Sequence, residues 1–252
     1  MDTTASNSIT PPHSTSSKTQ GSKVPHTPPL RGPFHLQPSL LFKSLSSDAS
    51  FISFSRCTEG ELTEERLTQF LAFSSSESIG VAARYDIKCR MIELYLATEA
   101  EVLMIQLRPG STPKKPKKKK RHTGTALLLD QILRKDSLRK LSFNIDRFVC
   151  SLYKDHSLTI SNAIDLLDTS ASSRESLQAW MDALGGEALV HKEKVQSLLH
   201  SQGSSETSTE DLALLSWAAS HALQVPRSAN TLSQAKPINT TMFTPEARIM
   251  LF

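Results

Sequence analysis

At 252 residues with a net charge of +4, the chain is long enough for one generous domain or two small ones. Three cysteines, Cys57, Cys89 and Cys150, stand far apart with no CxxC pair, which argues against a disulfide framework or a cysteine zinc site and suits a reducing compartment. No apolar run reaches the ~18 residues that span a bilayer, so no membrane partner is expected.

Residues 1–36 are dominated by Ser, Thr, Pro, Lys and His, a composition expected to form a disordered tail. They hold no hydrophobic h-region of a secretory signal, while their Ser-rich, acid-poor character leaves a transit peptide open. Apolar residues between Pro38 and Ser55 predict a short helix and a strand. ELTEERLTQFLAF, with Leu62, Leu67, Phe70, Leu71 and Phe73 near helical spacing and acids in the first turn, predicts a helix that SSSES ends. Ile79–Ala83, Met91–Ala97 and Glu101–Leu107 predict three strands, the last two joined by a tight turn at Thr98–Ala100, forming an antiparallel meander.

A basic loop follows, then a helix through Leu127–Leu133, a strand at Arg139–Phe143 and a helix from about Asn144 to His156. Ile160–Leu167 predicts a strand and turn, and Ser176–Leu184 a helix stopped by Gly185 and Gly186. After a polar loop at Ser201–Thr209, Glu210–Val225 predicts a last helix, with Thr209 as its N-cap. Three strands and then alternating helices and strands imply a mixed α/β sheet with helices on its faces. A second disordered tail is expected over 228–252.

The net charge is unevenly spread. Lys114, Lys115, Lys117, Lys118, Lys119, Lys120 and Arg121 fall in one tract, and taking those seven from +4 leaves −3 for the rest. Such a tract suits a nuclear localisation signal or an electrostatic arm for nucleic acid. A nuclear location with an import receptor as partner is therefore expected, or otherwise a cytoplasmic one. The eight histidines show no HExxH spacing, no GxSxG elbow occurs, and there is no glycine-rich phosphate loop. Trp217 and His221, four apart in LLSWAASHAL, share a helical face and are the one pairing that suggests a site.

In order, four stretches over residues 62–225 resemble the DEDD family of 3′–5′ exonucleases, in its RNase D and Werner-type branch. They are SIGVAARYD with IELYLATEAEVLMIQL, LLLDQILRKDSLRKLSFNIDRFVCSLYKDHSL, NAIDLLD with ESLQAWMDALGG, and LLSWAASHAL. The resemblance implies a ribonuclease H-like, three-layer α/β fold whose mixed sheet has an antiparallel three-strand meander followed by parallel strands. It places the exonuclease-like domain at 37–227, with a core at 62–225 and the basic insertion at 108–125.

That family hydrolyses phosphodiesters with two Mg²⁺ or Mn²⁺ ions held by carboxylates. Carried over by position, the acids of its first strand fall on Ala82 and Arg84, and the acid of its second helix falls on Phe148. The tyrosine and aspartate of its last helix fall on Trp217 and His221. The resemblance thus implies a degenerate member with no metal cofactor, binding RNA or a protein of an RNA-processing assembly. Two alternatives stay open. One is an active metal-dependent exonuclease using displaced acids such as Asp86, Glu93, Asp146 or Asp165, which requires at least three carboxylates near Ala82, Phe148 and His221. The other is an unrelated adaptor, favoured if the strands at 79–83, 139–143 and 160–167 do not share a sheet.

Overall fold

The computed structural model describes residues 35–45, 51–72, 74, 77–108, 124–201, 207–225, 232 and 235–240. Residues 1–34 of the expected tail over 1–36, the lysine tract and residues from 241 onward lie outside them.

Alternation along the strands decides the architecture. In Met91–Ala97 (β4), Leu94 and Leu96 enter one core while Tyr95 and Ala97 enter another. In Glu101–Gln106 (β5), Leu103 and Ile105 oppose Val102 and Met104 in the same way. A strand that is apolar on both faces must be covered on both, which requires helices above and below the sheet.

The other strands are His35–Leu36 (β1), Ile52–Thr58 (β2), Ser78–Tyr85 (β3), Arg139–Ser142 (β6) and Ala163–Asp165 (β7). The sheet order is β1-β2-β5-β4-β3-β6-β7. β3, β4 and β5 form the expected antiparallel meander, and β6 and β7 then add in parallel beside β3. The strands predicted at 79–83, 139–143 and 160–167 therefore share one sheet.

Glu64–Ala72 (α1), Gly124–Leu133 (α2) and Ile145–His156 (α3) cover one face, burying Phe70, Leu133 and Phe148 against Val81 and Leu94. Leu177–Ala183 (α4), Lys192–Ser201 (α5) and Thr209–His221 (α6) cover the other, burying Trp180, Val195 and Leu214 against Tyr95 and Met104. The result is a three-layer α/β fold with a mixed central sheet. Among the described residues, no helix is long and apolar enough to cross a membrane.

Several boundaries move. β1 begins at His35, within the stretch expected to be a tail, and pairs with β2. At the other end Leu232 is buried, and Ile238 forms an antiparallel bridge with Ala163. α5 has no counterpart among the predicted elements. The N-cap of α6 is Ser208, whose hydroxyl accepts from the Asp211 amide at 3.0 Å, because the Thr209 hydroxyl already accepts from Arg84. The helix predicted through Val225 ends at His221 and tightens into a 3₁₀ turn at Ala222–Gln224. The glycine stop after α4 is as expected: Gly185 and Gly186 have φ of 99° and 104°, and the Gly186 amide donates to the Met181 carbonyl.

α6 lies against β3 with no side chain between them at Gly80. A Cβ at that position would sit 1.7 Å from the Ser216 carbonyl oxygen and 2.7 Å from the Ser220 nitrogen. Gly80→Ala must push helix and strand apart, an overpacking cost on the order of 3 kcal/mol. Thermal unfolding of that variant is expected to fall by roughly 6–12 °C for a body of this size.

Lys140 on β6 is fully buried, and its Nζ donates to the carbonyls of Lys135 and Ser161 at 2.6 and 3.0 Å. Burial pushes its ammonium down from 10.5 to about 8. Between those values the unfolded chain holds a proton that the folded chain has released. Stability relative to Lys140→Met therefore rises as pH increases from about 8 to 10.5, by up to about 3 kcal/mol. Urea unfolding of both proteins across that range checks it; a flat or falling difference contradicts it.

Candidate functional site

β3, the N-terminal turn of α3 and the first half of α6 converge on a cleft of about 40 Å³, room for little more than one or two waters. Ala82 and Phe148 both line it, as do Leu212 and Leu215 from α6. Ser142, Asn144, Arg147 and Thr207 supply its polar atoms, and no lining residue carries a carboxylate. The Arg147 guanidinium lies over the Tyr85 ring at 4.1 Å.

α3 enters the cleft at a fixed angle because of the turn before it. Asn144 takes the left-handed conformation (φ 61°) and offers no side-chain cap. Asp165, at the end of β7, supplies the acceptor instead, taking the Ile145 amide at 2.9 Å and the Leu167 amide at 2.8 Å. Burial pushes the Asp165 carboxyl up from its ordinary range, opposed by these amides and by Arg174 at 2.6 Å.

Arg84 points from β3 to the start of α6. Its guanidinium donates to Glu93 at 2.7 Å, the Thr207 carbonyl at 2.7 Å, the Thr209 hydroxyl at 2.9 Å and the Tyr95 hydroxyl at 3.3 Å. The Tyr95 hydroxyl donates to Glu93 at 2.6 Å, and burial together with the Glu93 charge pushes it well above the ordinary tyrosine range. Arg84 therefore ties two strands to a helix terminus.

Trp217 and His221 do not join this cleft. α6 runs opposite to β3, so Thr209 meets Arg84 while Ser216 and Ser220 cover Gly80. His221 lies twelve residues beyond Thr209, roughly 18 Å along the helix. The Trp217 indole donates to the Glu99 carbonyl at 3.0 Å and stacks on His221 at 4.8 Å. Phe42 packs edge-on against both rings. Burial pushes the His221 imidazole below its ordinary range, with Glu99 opposing. The two residues singled out in LLSWAASHAL therefore lie apart from the cleft that Ala82 and Phe148 line. The α6 side chains beside Ala82 and Phe148 are Leu212 and Leu215. The stripe of Ala213, Ser216 and Ser220 at helical spacing, which marks the face on β3, was the sequence signal for that register.

Mg²⁺ and Mn²⁺ take hard oxygen donors, and the cleft does not fit them. Its nearest carboxylates are engaged elsewhere. Glu93 is held by Arg84 and Tyr95, Asp86 by Arg90 at 2.6 Å, and Asp146 by Arg174 at 2.8 Å. Asp146, Asp165 and Asp168 do converge, but on the Arg174 guanidinium. Among the described residues, no group of three or more His, Cys, Asp or Glu is placed to hold a metal ion.

No family model matches the chain, and no curated protein does. Among solved structures it is similar to the apo form of a nuclease, at 12% identity and a TM-score of 0.39, over 72% of this chain and 79% of that one. It is similar to the EXD2 exonuclease domain soaked in Mn, at 16% identity and 0.35, over 72% and 86%. A third is Brucella melitensis NrnC bound to pGG, at 16% identity and 0.39, over 72% and 79%.

Removing Arg84 leaves the half-buried Glu93 beside a hydroxyl alone and frees the start of α6. Arg84→Ala is expected to cost about 2–3 kcal/mol, less than breaking a fully buried ion pair. Chemical denaturation measures it; a loss under about 1 kcal/mol would reduce Arg84 to a surface cation.

Proposed function

We propose that the chain is an exonuclease-like domain that binds without cleaving, with nucleic acid, RNA first, as its ligand and the nucleus as its location. One observation carries the reading: Ala82 and Phe148 line a cleft free of carboxylates, and Arg84 beside them is a cation engaged in holding α6. With no donor set for a metal, nothing in the cleft activates a water for attack on phosphorus.

The tract from Lys114 to Arg121 gives the reading its ligand. Seven cations in one stretch contact phosphates without base choice, and binding then weakens steeply with salt. The same tract suits an import receptor. A protein partner from an RNA-processing assembly is the second reading. It is favoured by the apolar lining of Phe148, Leu212 and Leu215, and by the −3 left once the tract's seven charges are taken from +4. An active exonuclease with displaced acids finds less support, since Asp86, Glu93 and Asp146 are each committed to an arginine.

The test uses the full chain with labelled single-stranded RNA or DNA and added Mg²⁺ or Mn²⁺. The substrate is expected to stay full length while anisotropy reports binding. The log–log salt slope should be no steeper than roughly −5 for seven contacts on a single strand. Deleting residues 113–121 should remove most of that binding. Shortening that is lost on Asp146→Asn would establish the active enzyme instead, and RNA binding indifferent to the deletion would favour the protein partner.

A further inference from the structure

Ala163 turns its N–H and C=O away from β6, toward the outer edge of the sheet. Both groups are bonded to Ile238, which donates to the Ala163 carbonyl at 2.7 Å and accepts from its amide at 3.1 Å. The next two residues extend the contact through side chains. The Asn239 Oδ1 accepts from the Asn162 amide at 2.6 Å. The Thr240 hydroxyl accepts from the Ile160 amide at 2.9 Å, while the Thr240 amide donates to the Ile160 carbonyl at 2.9 Å. The Ile238 side chain packs against the core that holds Ile160 and Ala163, and Thr240 is fully buried.

We propose that the outer edge of β7 is a peptide-capture site, filled in cis by residues 238–240 and able to take an extended segment of a partner protein in their place. The chemistry that recognises such a segment is specific. It requires a β-branched apolar residue, then a side-chain carbonyl acceptor (Asn or Asp), then a hydroxyl (Thr or Ser). Main-chain bonds to an edge strand supply affinity, and the alternate side chains supply choice.

Two features make the contact exchangeable. The ladder is a single bridge, and Pro237 has no N–H with which to extend it. Asn239 is exposed and Ile238 only half-buried. The segment is covalently attached thirteen residues after Val225, so a partner must outcompete a ligand held in cis. The surface is separate from the cleft, and its occupancy does not depend on what the cleft binds.

Hydrogen exchange on the full chain is the first test. The amides of Ile160, Asn162 and Ala163 should exchange at least about 100-fold faster than those of central β4, through an opening that leaves the body folded. The second uses full-length Ile238→Asp and a labelled peptide of residues 235–240. The variant should stay folded and bind the peptide at least about ten-fold more tightly than the wild-type chain does, and a peptide carrying the same substitution should not bind. Exchange of those amides only with the whole body, loss of folding in the variant, equal binding to both chains, or no binding to the folded variant each overturns the proposal.

Discussion

The close approach of α6 to β3 at Gly80 sets the position of almost everything else. Helix backbone touches strand backbone there, and Ser216 and Ser220 occupy space that any Cβ would take. Arg84, four residues along the strand, then holds Thr207 and Thr209 at the helix start. Two contacts on one strand fix both the distance and the register of a thirteen-residue helix. Leu212 and Leu215 fall over Ala82 and Phe148 as a consequence, and Trp217 with His221 falls at the Phe42 end.

The same constraint opposes a carboxylate at position 84. An acid at position 84 would face Glu93, its cross-strand partner, with Tyr95 beside it and the Thr207 carbonyl ahead. Like charges at that separation, half out of water, oppose each other, and a carbonyl offers no proton to either. Position 84 is an anchor between two strands and a helix start. Around α3 the pattern repeats. Asp165 supplies the cap that Asn144 lacks, Arg174 holds Asp165, and Asp146 and Asp168 pair with that arginine. Glu93, Asp146, Asp165 and Asp168 are each bound to an arginine that a metal would have to displace.

How much of this was legible in the sequence differs by level. Three strands followed by alternating helices and strands announced a sheet covered by helices, and the glycine pair after α4 announced its stop. The meander and the parallel strands after it were legible, while the parallel pairing of β2 with β5 and the short β1 beside it were not. α5 was not legible, because in KEKVQSLLHS only Val195 and Leu198 are buried and its polar face dilutes the period. The site was half legible. Of the residues singled out by resemblance, Ala82 and Phe148 line one cleft with Arg84 beside them, on elements whose register is set by β-pairing and by the turn at Asn144. Trp217 and His221 lie apart from that cleft, because the register of α6 is set by a tertiary contact at Gly80 that the string LLSWAASHAL does not display.

The two ends of the sheet show the limit of composition as a guide. β1 is two residues long and β7 three, and exposed edges of that kind invite unwanted pairing unless they are covered. At β7 the cover is Ile238–Thr240, within a stretch whose polar composition matches a solvated tail. What holds it is mostly backbone amides, one carbonyl oxygen and one hydroxyl, groups that hydropathy does not register. A polar segment can thus belong to a fold by hydrogen bonds to an edge, where an apolar segment would belong by burial. Because each such bond only replaces one to water, the net gain is small, and this part of the sheet sits nearest to exchange with solvent or with another chain.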